Sequence, residues 1–152
     1  MLRVVLVALL FSIAVAAWIV WRRERLRRQI ALATAEFARR RPTLQEDFRA
    51  AANVSGKPRG LLWKSCDFQN SVVLARDRAT GRLIGLAAVT VAFEAVAGGG
   101  MEDVEAVGNL RAATAILTWS GQEWTTAGRA AFNLEPQEVL DRYRESLTAI
   151  PA

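Results

Sequence analysis

The chain carries one thiol, Cys66, and no histidine. A nucleophilic cysteine needs a base or an electropositive setting to hold its thiolate. Without histidine, the usual general base and the commonest metal ligand are both missing. Asp67 next to Cys66 raises the thiol pKa. Lys64, two residues away and so on the same strand face, opposes that effect. A structural, buried cysteine is the expectation. A lone cysteine forms no intrachain disulfide, which suits a reducing compartment.

The acids Glu94, Glu102, Asp103 and Glu105 offer hard oxygens, but the spacing of a calcium loop, D-x-[DN]-x-[DN]-G, is missing. No metal is expected. The triplet Gly98-Gly99-Gly100 matches neither a P-loop nor a dinucleotide fingerprint, and the acids that follow it repel phosphate. There is no G-x-S-x-G nucleophile elbow, and nothing selects a pair of acids for glycoside hydrolysis. No cofactor and no catalytic residue are assigned. Two arginines interrupt apolar strand segments, Arg111 in NLR and Arg129 in RAAFN. A cation there is costly unless paired. If the two strands pair around a turn at residues 121–122, Arg111 comes close to Phe132 and Asn133, and Arg129 faces Thr114. Asp103 or Glu105 then reaches Arg111. Glu102, Asp103, Glu105, Arg111 and Arg129 are therefore the candidate binding residues, and a structural ion pair at the sheet edge is the plainer reading of them.

The elements that must position these residues begin with an uncharged run of 18, VVLVALLFSIAVAAWIVW, followed by RRERLRR. As a helix it spans about 27 Å at about 1.5 Å per residue, close to a hydrocarbon core of about 30 Å. Trp18 and Trp21 sit at the charged end, where amphipathic rings favour the membrane interface. Arg22, Arg23, Arg25, Arg27 and Arg28 outnumber the single Arg3 on the other flank. The positive-inside rule then predicts an inner-membrane, single-pass, bacterial-type signal-anchor with its N-terminus out and its C-terminal domain cytoplasmic. The bilayer and its anionic headgroups are the first expected partners. Ala14-Val15-Ala16 has the form of a cleavage site, so an exported domain after signal-peptide cleavage, or an N-in anchor, is the alternative. The apolar run continues past that site into the arginines, which favours an uncleaved anchor. Ala8, Ser12 and Ala16 are four apart, a small-xxx-small face for a homodimer.

Charge divides the chain. Residues 1–41 hold nine arginines and two acids, a net +7; residues 42–152 hold eleven basic and thirteen acidic residues, a net −2. The high isoelectric point belongs to the membrane flank, and the mildly acidic remainder argues against a nucleic-acid surface. Three regions are expected: an anchor at 1–21, a basic juxtamembrane helix at 22–41 and a small domain at 42–152. In the juxtamembrane helix Leu26, Ile30, Ala33 and Phe37 form one stripe, expected to pack on the chain's own domain. Pro42 is expected to end that helix. Thr43-Leu44-Gln45-Glu46 then reads as a capping box starting a short helix to about 53, with Leu44, Phe48 and Ala52 on one face.

Strand periodicity follows at 61–68, 71–77, 82–96, 110–119 and 124–132, with a hairpin loop at 78–81. The third of these is apolar on both faces, as a covered central strand would be. Trp119 and Trp124 flank a turn and can pair across it. A last helix from about residue 133 presents Val139, Leu140, Tyr143 and Leu147. The fold class is α+β: one transmembrane helix, then an antiparallel sheet of about five strands in meander order packed by helices. At fold level the order resembles the cystatin-like and nuclear-transport-factor-like cones, which carries no function. The functional expectation is a membrane-anchored binding or accessory domain with an unknown protein partner. Two alternatives stand beside it: an enzyme using carboxylates or arginines on the sheet face, and a structural element that oligomerises in the membrane.

Overall fold

Ala33, Phe37, Leu44, Phe48 and Ala52 recur at spacings of four and seven, which puts them on one stripe of a helix, and all five are buried. That stripe runs straight past Pro42. In the computed structural model the helix α1 is continuous over Leu2–Ser55, with Pro42 inside it. The expected break at Pro42 and the capping box at Thr43–Glu46 are therefore corrected. Proline removes one backbone hydrogen bond and costs about 3 kcal/mol in a helix interior. Burying Phe37, Leu44 and Phe48 on either side of it outweighs that cost, at about 1.5–3 kcal/mol per large side chain.

The structure describes residues 2–56 and 58–150, and the side chains of these except at 2–5 and 8. Two compact units result, Met1–Leu32 and Ala33–Ala152. The first is helix alone. Every large apolar side chain from Leu6 to Trp21 is at least 38% exposed, on all sides of the helix. Among the described residues no helix is long and apolar enough to cross a membrane. The side chains of Val4 and Val5, which belong to the expected anchor, and of Ala8, which belongs to the expected dimer face, lie outside the described set.

The second unit is an α+β domain built on a five-stranded antiparallel sheet in the order β4-β3-β2-β1-β5. Its strands are β1 (Leu61–Asp77), β2 (Leu83–Ala95), β3 (Arg111–Trp119), β4 (Trp124–Phe132) and β5 (Leu147–Ala149). The first four form the expected meander. The two strands expected at 61–68 and 71–77 are one strand, β1, whose register to β2 slips between Phe68 and Val72. The polar Gln69-Asn70-Ser71 marks an irregularity in the ladder, and no turn forms there. The last helix is also shorter than expected: α2 is Pro136–Arg142, with Val139 and Leu140 buried and Tyr143 45% exposed. Leu147 belongs instead to β5, which pairs with Ala75, Arg76 and Asp77 of β1.

β2 lies in the middle of the sheet, and seven consecutive residues from Leu83 are buried, as a strand covered on both faces requires. On one face Ile84, Leu86 and Ala75 meet Val139 and Leu140 of α2. On the other, aromatic rings join the sheet to residues 33–55 of α1. Phe48 lies 5.7 Å from Trp63 and 5.6 Å from Phe68, and Phe37 stacks on Phe68 at 6.3 Å. Two buried polar groups are tied down as well, while the buried Trp119 Nε1 has no hydrogen-bond partner among the described residues. Trp124 Nε1 donates to the Ala33 carbonyl at 2.8 Å, and Thr114 Oγ1 donates to the Leu134 carbonyl at 2.6 Å. The Trp119–Trp124 pair forms across the β3–β4 turn, with ring centroids 5.2 Å apart.

Candidate functional site

The sheet curls far enough that Trp63 on β1 touches Phe132 on β4, although β2 and β3 lie between those strands, and both rings also touch Phe93 on β2. α1 fills this concave face only as far as Ser55, where Gly56, with φ 63°, turns the chain out of the helix. Past the helix end the aromatic floor is open. A cleft of about 510 Å³ is lined by Ser55, Pro58, Trp63, Ala127, Gly128, Arg129, Ala130 and Phe132. A smaller one of about 130 Å³ is lined by Pro58, Leu61, Phe93, Arg111, Phe132 and Asn133. The two share Pro58 and Phe132, and each has one arginine in its wall.

A bulge in β4 shapes the larger cleft. Near the turn Trp119 faces Trp124 and Leu117 faces Thr126, but farther along Ala115 faces Ala130 and Thr114 faces Ala131. The expected pairing of Arg129 with Thr114 is thus displaced by two residues. Gly128 sits in the bulge at φ 67°, and its Gly128 N–H donates to Thr126 Oγ1 at 3.0 Å. An added Cβ there would lie 2.2 Å from the backbone nitrogen of Ala52, so only glycine lets the strand meet α1 this closely. The bulge carries Arg129 to the cleft wall.

No family model, curated protein or solved structure matches this chain.

Of the sequence-derived candidates, Arg111 and Arg129 come to neighbouring clefts, on either side of Phe132. Neither makes an ion pair among the described residues. Arg111 Nη2 has only a long 3.5 Å contact to the Ala106 carbonyl. The acids do not join them. Glu102 is turned into its own loop, where its carboxylate accepts the Gly98 N–H. Backbone N–H groups, its own first and then that of Gly98, hold its pKa below the usual carboxylate value. Asp103 is exposed, and Glu105 opens a short 3₁₀ turn, Glu105–Gly108. Among the described residues no group of acids and Cys66 could hold a metal ion.

Cys66 is buried in β1, and burial pushes its thiol up to about 12, with Asp67 adding to the effect and Arg49 opposing it. A thiol so protonated is a poor nucleophile at neutral pH. Of the cleft's aromatic walls, the sequence places Phe132 beside Arg111 but does not point to Trp63. The available signal was Gly128 within a strand pattern, which marks a bulge or a close backbone approach.

The first unit holds the other set of candidates. Trp18 carries the Arg22 guanidinium 5.3 Å above its ring, and Trp21 carries that of Arg25 at 5.4 Å, both one helical turn apart. Glu24 pairs with Arg28 at 3.3 Å on the exposed surface. Arg22, Arg23, Arg25, Arg27 and Arg28 are all exposed.

Proposed function

We propose that the chain is a membrane-anchored binding domain, inserted by the N-terminal apolar stretch of α1 and presenting the α+β unit to the cytoplasm. The observation that carries this reading is the apolar surface of residues 6–21, exposed on all sides and ending at a collar of two tryptophans and five arginines. A helix that is apolar all round needs an apolar surrounding. The described part, residues 6–21, is about 24 Å long at about 1.5 Å per residue, and Val4 and Val5 extend the run in the sequence toward the thickness of the hydrocarbon core. Tryptophan rings under guanidinium groups suit the headgroup layer, and the arginines favour anionic lipid by about 1 kcal/mol each. Binding rather than catalysis is supported by the protonated, buried Cys66, the lack of histidine and the open clefts with arginine walls.

The test is alkaline carbonate extraction of membranes from cells expressing the full chain, with reporters fused after Ala152. We expect the protein to stay in the membrane pellet and only a cytoplasm-active reporter to give signal. Leu9→Glu with Ile13→Glu should release it, since each charge near a helix centre costs about 2.5–3.5 kcal/mol in the bilayer. Carbonate extraction of the unaltered chain would overturn the anchor. Signal from a reporter active only outside would overturn the orientation.

A further inference from the structure

We infer that the larger cleft is a binding site for a small planar aromatic carboxylate. Its volume, about 510 Å³, falls within the range of about 300–1,000 Å³ typical of small-molecule sites. Two of its walls are aromatic, Trp63 and Phe132, tilted at 38° with centroids 5.6 Å apart, and Pro58 adds a further apolar wall. Phe132 is 36% exposed, and its ring also contacts Trp63 and Phe93, which are buried. A flat ring seated here covers it and meets ring edges and faces in the offset geometry aromatic pairs prefer.

The charge of the wall selects the rest of the ligand. Arg129 is the one charged residue among those described around the cleft, and it makes no ion pair among the described residues. Ser55 Oγ donates its proton to the Ala52 carbonyl at 2.6 Å, so Arg129 is the group left to hold an anion. No described carboxylate lines the cleft to repel an anion. A planar guanidinium fork fits a carboxylate through two parallel N–H···O bonds. One such residue in the wall of a cleft with aromatic sides describes a ligand with one carboxylate on a flat apolar body. The bulge at Gly128 makes the site, because it places Arg129 beside the rings instead of opposite Thr114.

The inference rests on the domain being a binding module and is independent of the anchor. The test uses the full chain in dodecyl maltoside micelles with 6-fluoro-2-naphthoate as probe, followed by fluorine NMR and calorimetry. We expect saturable binding that weakens about ten-fold or more in Arg129→Gln, the scale of losing a charge-assisted pair. Arg142→Gln, on α2, removes the same charge elsewhere and should bind as the unaltered chain does. The neutral 6-fluoro-2-naphthamide should bind weakly and equally to the unaltered chain and to Arg129→Gln. Phe132→Ala should weaken both probes. Failure of naphthoate to saturate, or equal affinities in Arg129→Gln and Arg142→Gln, would overturn the site. So would loss of amide binding in Arg129→Gln, because that variant would then have altered the cleft itself. Carbonate extraction of the same variants separates the two readings: protein that stays in the membrane yet ignores naphthoate removes this inference and leaves the anchor standing.

Discussion

Replacing Gly128 by alanine should be among the most damaging changes of one methyl group in this domain. Two costs combine. Gly128 sits at φ 67°, where a residue with a Cβ costs about 1–2 kcal/mol. The new Cβ would also stand 2.2 Å from Ala52 N and 2.5 Å from Ala51 C and Ala52 Cα. These are helix backbone atoms, so no side chain can swing aside. Strand and helix must part by roughly 1 Å, which loosens Phe48 from Trp63, and overpacking of this kind costs about 1–3 kcal/mol or more. The total is about 2–5 kcal/mol. For a unit of this size that lowers Tm by on the order of 10–20 °C. Gly81→Ala is the matched control: it has φ 69° but nothing within 4 Å of the added Cβ, so it meets the backbone cost alone. Thermal unfolding of both variants, followed by near-ultraviolet circular dichroism in the same micelles, isolates the helix contact by difference. If Gly128→Ala falls within about 1 kcal/mol of Gly81→Ala, the close approach of β4 to α1 does not exist as described and the placement of Arg129 goes with it.

Asn53→Ala should destabilise the domain by about 1–3 kcal/mol in the same assay, because Asn53 serves both the N–H and the carbonyl of Trp63 and the variant loses both bonds. Asn53→Asp should cost less, since it keeps the acceptor. Cys66 should resist iodoacetamide at pH 8 in the folded protein and react on unfolding, with its thiolate about a thousand-fold scarcer than that of a free thiol. Its linkage has a definite sign. Between the ordinary thiol pKa and about 12 only the unfolded chain loses the proton, so the contribution of Cys66 to stability is complete below about pH 9 and falls as pH rises through that window. Cys66→Ala should remove that slope from a plot of stability against pH, and an unchanged slope would refute the assignment.

Periodicity carried most of the fold. β2, β3 and β4 lie within two residues of their expected limits, because alternating burial and the turns between them are local signals. The misses occurred where distant packing overruled a local rule. Pro42 reads as a stop, yet the stripe from Ala33 to Ala52 keeps the helix going on both sides of it. Gln69-Asn70 reads as a gap between two strands, yet β2 continues opposite and one strand absorbs the excess as a register slip. Leu147 reads as helix, yet the free edge of β1 at Ala75–Asp77 takes residues 147–149 as a strand. The candidate site was half legible. Arg111 and Arg129 stood out as cations in apolar strands, and the simple hairpin register already brought Arg111 near Phe132. The two-residue bulge did not show, because it depends on a helix backbone more than seventy residues earlier in the chain.

The outer edge of β1 has a consequence for how the chain is made. Where β5 does not reach, α1 takes the place of a neighbouring strand: Gln45 accepts the Phe68 N–H at 2.9 Å, Asn53 accepts the Trp63 N–H at 2.8 Å, and Arg49 reaches the Lys64 carbonyl. The amide protons of Trp63 and Phe68 should therefore exchange slowly with solvent, although they point to the side of β1 away from β2, where among the described residues no strand pairs with them. Residues 45–53 leave the ribosome before β1 does, so the cover exists before the edge it covers. During synthesis the exposed hydrogen-bonding row of β1, the sort of template on which a second nascent chain can add itself, meets its own helix first.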